Sequence, residues 1–153
     1  MGMINLKLFI WALIAGSFIP LVGILNGRAG RVLGDPLFAC VLVFIVGLVL
    51  AIAVTAFTGR GIPDFQSYGQ LKGIEYFAGF VVAFYVLSAT VLAGKIGVAN
   101  FILMAVTGQI MSSMIIDHFG LFGAPIRPIN LLQALGAAML LAGLVITQVA
   151  NGK

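Results

Sequence analysis

Charge is what this sequence most conspicuously lacks. Only 8% of its residues are charged, and 62% are hydrophobic, with a mean hydropathy of +1.22. Soluble globular chains carry about 25% charged residues. A soluble domain this apolar would leave large hydrophobic patches in water, where they drive association. The low charge and high hydrophobicity also exclude a disordered binding segment. Cysteine is nearly absent too: a lone Cys40 excludes an internal disulfide. Cys40 lies in an apolar run, where a thiol behaves as a small hydrophobe. The one histidine, His118, cannot assemble a metal site with a single cysteine from another segment. Neither a metal nor a cofactor is expected. The eight Lys and Arg residues outnumber four Asp and Glu, yet they are scattered singly and form no patch for nucleic acid. The bilayer is the solvent that fits.

The few charges divide the chain into uncharged runs at 8–27, 36–59, 76–94, 96–116 and 128–152, of 20, 24, 19, 21 and 25 residues. A membrane-crossing helix needs about 20 mainly apolar residues. Backbone groups cannot stay unpaired in lipid, and the runs lack the alternation of a barrel strand. The sequence therefore predicts an all-α integral membrane protein. Residues 1–153 form a single five-helix domain, with spans near 8–28, 36–58, 75–94, 98–118 and 130–150. The first run is too long for a signal peptide and shows no cleavage site, so it is read as a retained helix.

Local signals mark the span ends. Gly34 can end the first helix, and Asp35 with Pro36 reads as N-cap and first-turn proline of the second. Residues 59–64 form a turn-rich loop, and 94–97 make a very short connection. Pro125 and Pro128 stiffen the last loop. Asn130 and Gln133 have capping-box spacing. Trp11, Tyr68 and Tyr76 fall near span ends, where amphipathic rings settle at interfaces or simply pack.

Five spans put the termini on opposite sides. The N-terminal side, side A, receives Lys7, Arg60, Lys72 and Arg127; side B receives Arg28, Arg31, Lys95 and Lys153. Orientation is set by an asymmetry of positive charge, and here the count is level. A level count arises by chance or from dual topology, in which one chain inserts both ways and two copies pair antiparallel. Such a pair builds from one sequence the inverted repeats found within larger transporters.

Ionisable residues inside spans are functional candidates by default. None lies near a helix centre; Glu75 and the pair Asp117–His118 lie near span ends on side A. At about 1.5 Å per residue, Asp117 is about 12 Å from the middle of the fourth span. Gln109, Ser113 and Asp117 recur every fourth residue and share one face. That stripe can line a substrate path or hydrogen-bond neighbouring helices. Asp117 points to function or an ion pair, whereas His118 reads as a headgroup-level histidine. In the first span, Gly23 and Gly27 bracket Asn26 in a GxxxG pattern that permits close helix approach. Pro20 removes a backbone hydrogen bond and should kink that helix, a device for gating. Ala134, Ala138 and Ala142 form a small-residue stripe on the fifth span. In an antiparallel pair, side B of one copy shares a leaflet with side A of the other, so Arg28 or Arg31 is placed to neutralise Asp117 of its partner.

Three patterns, spread along the whole chain, carry a resemblance. They are residues 25–31 (LNGRAGR) leading to 33–36 (LGDP), the pair Gly108–Gln109, and residues 116–123 (IDHFGLFG). With the five-span layout, the chain resembles the YdcZ-like family of the drug/metabolite transporter superfamily. The resemblance implies a five-helix half-transporter of the bacterial inner membrane, multi-pass. It would work as a dual-topology homodimer or beside an oppositely oriented sister chain. The first span lacks the acid that small multidrug resistance proteins carry there, which argues against export of cationic drugs. The expected function is small-molecule transport, with export as one direction, by alternating access at an antiparallel interface. The alternative is a non-transporting membrane subunit that scaffolds or regulates a larger complex. No nucleophile–base pair lies within the spans, so an enzyme is not expected. The expected substrate path is lined by Asn26, Tyr85, Ser88, Gln109, Ser113 and Asp117, near the midplane, with Pro20, Gly23 and Gly27 as hinge and gate. The expected partners are a second copy or sister chain, a small-molecule substrate and the bilayer.

Overall fold

The computed structural model describes residues 6–59, 61 and 63–151. Arg60 and Lys153, two of the charges counted above, lie outside the described residues. Among the described residues six α-helices form in chain order: α1 (Leu6–Leu33), α2 (Pro36–Phe57), α3 (Phe65–Gly69), α4 (Gly73–Ile96), α5 (Val98–Phe119) and α6 (Leu131–Asn151). All but the short α3 are long and apolar enough to cross a membrane. At 28 residues, α1 is the longest, about 42 Å at 1.5 Å per residue.

The chain stops and starts where its local chemistry dictates. Gly34 takes the left-handed conformation, with φ of 80°, just past the end of α1. Asp35 is the N-cap of α2, its carboxylate accepting the Leu37 N–H at 2.6 Å, with Pro36 in the first turn. Asn130 and Gln133 form the reciprocal box ahead of α6: Asn130 N–H donates to Gln133 Oε1 at 3.1 Å, and Gln133 N–H to Asn130 Oδ1 at 2.9 Å. The fourth helix runs on through Lys95 to Ile96. Only Gly97, with φ of 88°, then separates it from α5. Helix α1 continues unbroken through Pro20. One feature departs from the sequence reading. The loop after α2 contains α3, held to the next helix by the Tyr76 hydroxyl, which donates to the Tyr68 carbonyl at 3.1 Å.

Apart from the Gln109–Ser113–Asp117 face of α5, the long helices are apolar around most of their circumference and expose much of it. Trp11 is 73% exposed and Phe57 93%. A helix that is hydrophobic all round belongs in a core or a membrane, and in this chain the bilayer takes that surface. Among the described residues the buried hydrophobic ones are mostly small, Ala39, Cys40, Ala89, Ala93 and Ala137, joined by Phe101, and the buried polar ones are Asn26, Thr90 and Thr107.

The chain divides into two compact units, Met1–Val98 and Ala99–Lys153. In the first, α1, α2 and α4 pack against one another. Gly30 lies against Pro36, and Asn26 against Cys40, so α1 and α2 run antiparallel. The second unit holds α5 and α6. Asn100, near the start of α5, accepts from Asn151 Nδ2 at 2.7 Å and from Gln148 Nε2 at 3.4 Å, both near the end of α6. At the other end of α5, Asp117 and His118 hold the connecting loop. The Asp117 carbonyl accepts the Arg127 N–H at 2.8 Å, and His118 Nδ1 accepts the Ile129 N–H at 3.0 Å.

Candidate functional site

Close approach of α1 and α4 creates the best-defined polar site. A side chain added at Gly23 would meet Ala93 Cβ at 3.3 Å and the Ala89 carbonyl at 3.6 Å; at Gly27 it would meet the Thr90 carbonyl at 3.8 Å. Only small residues allow backbones this near. In lipid, where tails are as apolar as leucine, that van der Waals contact is a main source of helix association. The opposing face of α4 supplies Ala89 and Ala93 one turn apart, with Thr90 between them. It is the counterpart of Gly23 and Gly27 with Asn26 between them.

Where the small residues meet, their polar companions are shut inside. Asn26 is 5% exposed, Thr90 4% and Cys40 6%. Asn26 Nδ2 donates to Thr90 Oγ1 at 2.7 Å and lies 3.6 Å from Cys40 Sγ. The Cys40 thiol donates to the same Thr90 oxygen at 3.5 Å. The Thr90 hydroxyl in turn donates to the Val86 carbonyl at 2.8 Å. One residue from each of α1, α2 and α4 thus meets at a single hydroxyl. Asn26 is seven residues from the end of α1, about 10 Å along the axis, so the cluster lies toward the side-B end of the unit.

Beside this cluster a groove of about 370 Å³ opens between the ends of α1 and α4 and the start of α2. Gly27, Gly30, Gly34 and Gly94 keep its walls low, Thr90 lines it, and Arg31 and Lys95 supply the charge.

Tyr85 and Ser88 lie on α4, five and two residues before Thr90, and both are half-buried. The Ser88 hydroxyl is turned back to the Phe84 carbonyl at 2.7 Å. Gln109, Ser113 and Asp117 belong to the second unit. Gln109 and Ser113 are exposed and Asp117 half-buried; Ser113 donates to the Ile110 carbonyl at 2.9 Å. Gln109 has no side-chain hydrogen bond among the described residues. Pro20 is half-buried three residues before Gly23. The buried roles of Thr90 and Cys40 were not anticipated from sequence. Ala89 and Ala93 flanking Thr90 were the available signal. His118 near the end of α5 also ties the loop, its Nδ1 accepting the Ile129 N–H. Among the described residues no group of three or more His, Cys, Asp or Glu could hold a metal ion.

Five helices long and apolar enough to cross a membrane, with a buried polar cluster among α1, α2 and α4, point to a multi-pass membrane protein. Residues 7–146 match the family described as "Putative inner membrane exporter, YdcZ". The chain belongs to that family, and is accordingly a multi-pass inner-membrane protein of the transporter class. The family is one of exporters rather than enzymes. No curated protein and no solved structure matches the chain.

Proposed function

We propose that the chain moves a small solute by alternating access, as one half of an antiparallel homodimer. The carrying observation is the level division of positive charge, four residues to each side of five helices. Topology follows an excess of Lys and Arg, and with no excess both orientations insert. Two opposed copies then supply ten helices with inverted-repeat symmetry, a plan on which transporters place their sites at the repeat interface.

In this reading the first unit is the rigid element. Its buried Asn26–Thr90–Cys40 cluster fixes α1 against α4 and α2. Tyr85 and Ser88 in the first unit, and Gln109, Ser113 and Asp117 in the second, are each candidates to contact the solute. Pro20 lets the part of α1 that precedes it rock, while Gly23 and Gly27 hold the rest of the helix close against α4. Arg28 of one copy neutralises Asp117 of the other, since both fall in the same leaflet when the copies are opposed.

Unbalancing the charge tests the pair. Lys72→Ala removes a positive charge from side A, and Arg28→Ala removes one from side B. Each variant alone should favour one orientation and yield few dimers. Co-expressed, the two should recover the dimer as a mixed species, read by mass with a tag on one chain. Arg28→Lys controls for lost contacts to Asp117. Full dimerisation of each variant alone, with a single orientation, would overturn the antiparallel reading.

A further inference from the structure

We propose that the groove between Gly27, Gly94, Arg31 and Lys95 is an oxyanion site, built to take a phosphate or carboxylate group at the side-B face. Its lining holds two cations and no acid. Neither Arg31 nor Lys95 has an ion-pair partner among the described residues. The nearest acid in sequence, Asp35, is engaged in capping α2 at 2.6 Å and is not part of the lining. Arginine presents a planar fork of donors that matches carboxylate and phosphate oxygens, and lysine adds a mobile point charge.

Glycine provides the room. A side chain added at Gly94 would meet no atom within 4 Å, so that position opens directly onto free space. At Gly30 it would press on Pro36 Cα at 3.1 Å, so the floor there is tight. At about 370 Å³ the space is large enough for a headgroup-sized anion. Simple interfacial anchoring accounts for two cations at helix ends, but requires no groove between them.

This inference does not depend on the antiparallel pair, and the test keeps the two apart. Gly94→Val fills the groove without altering the charge count that governs orientation. Arg31→Gln and Lys95→Gln remove the cations singly. Lys72→Gln serves as control, because Lys72 caps α4 without a side-chain bond and is outside the groove. Purified full-length protein in zwitterionic detergent is titrated with inorganic phosphate and followed by its unfolding temperature. In a second arm, native mass spectrometry counts phosphatidylglycerol retained from an equal mixture with phosphatidylcholine. Binding to the natural sequence should weaken about tenfold on losing either charge-assisted partner. It should weaken at least as much in Gly94→Val, with Lys72→Gln unchanged.

Stabilisation by phosphate supports the site with a soluble oxyanion as its ligand. Selective retention of phosphatidylglycerol supports it with a lipid headgroup. Failure to bind either anion, or equal binding by Gly94→Val and the natural sequence, overturns the proposal. Helical content by circular dichroism verifies that each variant is folded.

Discussion

In the first unit the helices meet along their sides; in the second they are tied at their ends. Gly23 and Gly27 let α1 settle against Ala89, Thr90 and Ala93 of α4, and the polar atoms there are sealed from lipid. In the second unit Asn100 reaches Gln148 and Asn151 at one end, while Asp117 and His118 secure the loop at the other. Gly108, Gly136 and Gly143 have no atom within 4 Å of where a side chain would begin. Glycines thus pack against a neighbouring helix at Gly23 and Gly27 but face open space at Gly108, Gly136 and Gly143. Glycine promotes packing only where a neighbouring helix presents an equally low surface. The first unit behaves as a packed block. The second leaves a polar stripe, Gln109 and Ser113, uncovered.

That contrast can be broken most severely at Gly23. Gly23→Leu must push α1 off Ala93 and should destabilise the protein by about 2–3 kcal/mol, the scale of overpacking a close contact. Gly108→Leu in the second unit should change stability by less than about 0.5 kcal/mol. Unfolding of both variants in mixed micelles gives the comparison. Equal effects would mean that the two units are packed alike.

A loop position comes next. Gly120 has φ of 62°, and an added Cβ would lie 2.6 Å from Ile126 Cγ1. Gly120→Ala should cost about 1–2 kcal/mol through backbone strain and that clash. It should loosen the His118–Ile129 tie, seen as faster amide exchange at Ile129 in the second unit alone.

The buried hydroxyl gives a smaller effect. Thr90→Val strands the Asn26 amide and should lower stability by about 1 kcal/mol, near the upper part of the range for hydrogen bonds between membrane helices. Thr90→Ser should recover most of it, and the loss should shrink in an Asn26→Leu background. In the second unit, Asn151→Ala removes an exposed tie and should change stability by about 0.5 kcal/mol or less.

The smallest expected effect on stability is at Gln109, which is exposed and bonded to no side chain. Gln109→Ala should leave the unfolding transition in place and lower solute flux in proteoliposomes. Unchanged flux would remove Gln109 from the path.

The sequence made one level of this structure plain. Charges bracket each span because a charged side chain is expensive in hydrocarbon, so five helices could be counted from eight basic and four acidic residues. Caps were equally legible: Gly34, Asp35–Pro36 and the Asn130–Gln133 box act within a few residues of chain. Pairing between helices was not. A helix that is apolar all round has no face pattern to declare which side meets protein and which meets lipid. The glycines of α1 were visible as a contact motif, yet nothing in their spacing named Thr90 or Cys40 as partners, 64 and 14 residues away from Asn26. The short α3 was missed because five residues are too few to show a period. The tie from His118 to the loop was not legible because its partner is a backbone N–H, which any sequence supplies.

The central claim is that one chain inserts in both orientations, and the sidedness of its C-terminus measures this most directly. A single cysteine added after Lys153, in a Cys40→Ser background that keeps a small polar group in the buried cluster, is treated in intact cells with an impermeant thiol reagent. Level charge predicts that about half of the molecules react before lysis and the rest only after it. Labelling of all molecules, or of none, would show a single orientation and contradict the antiparallel homodimer.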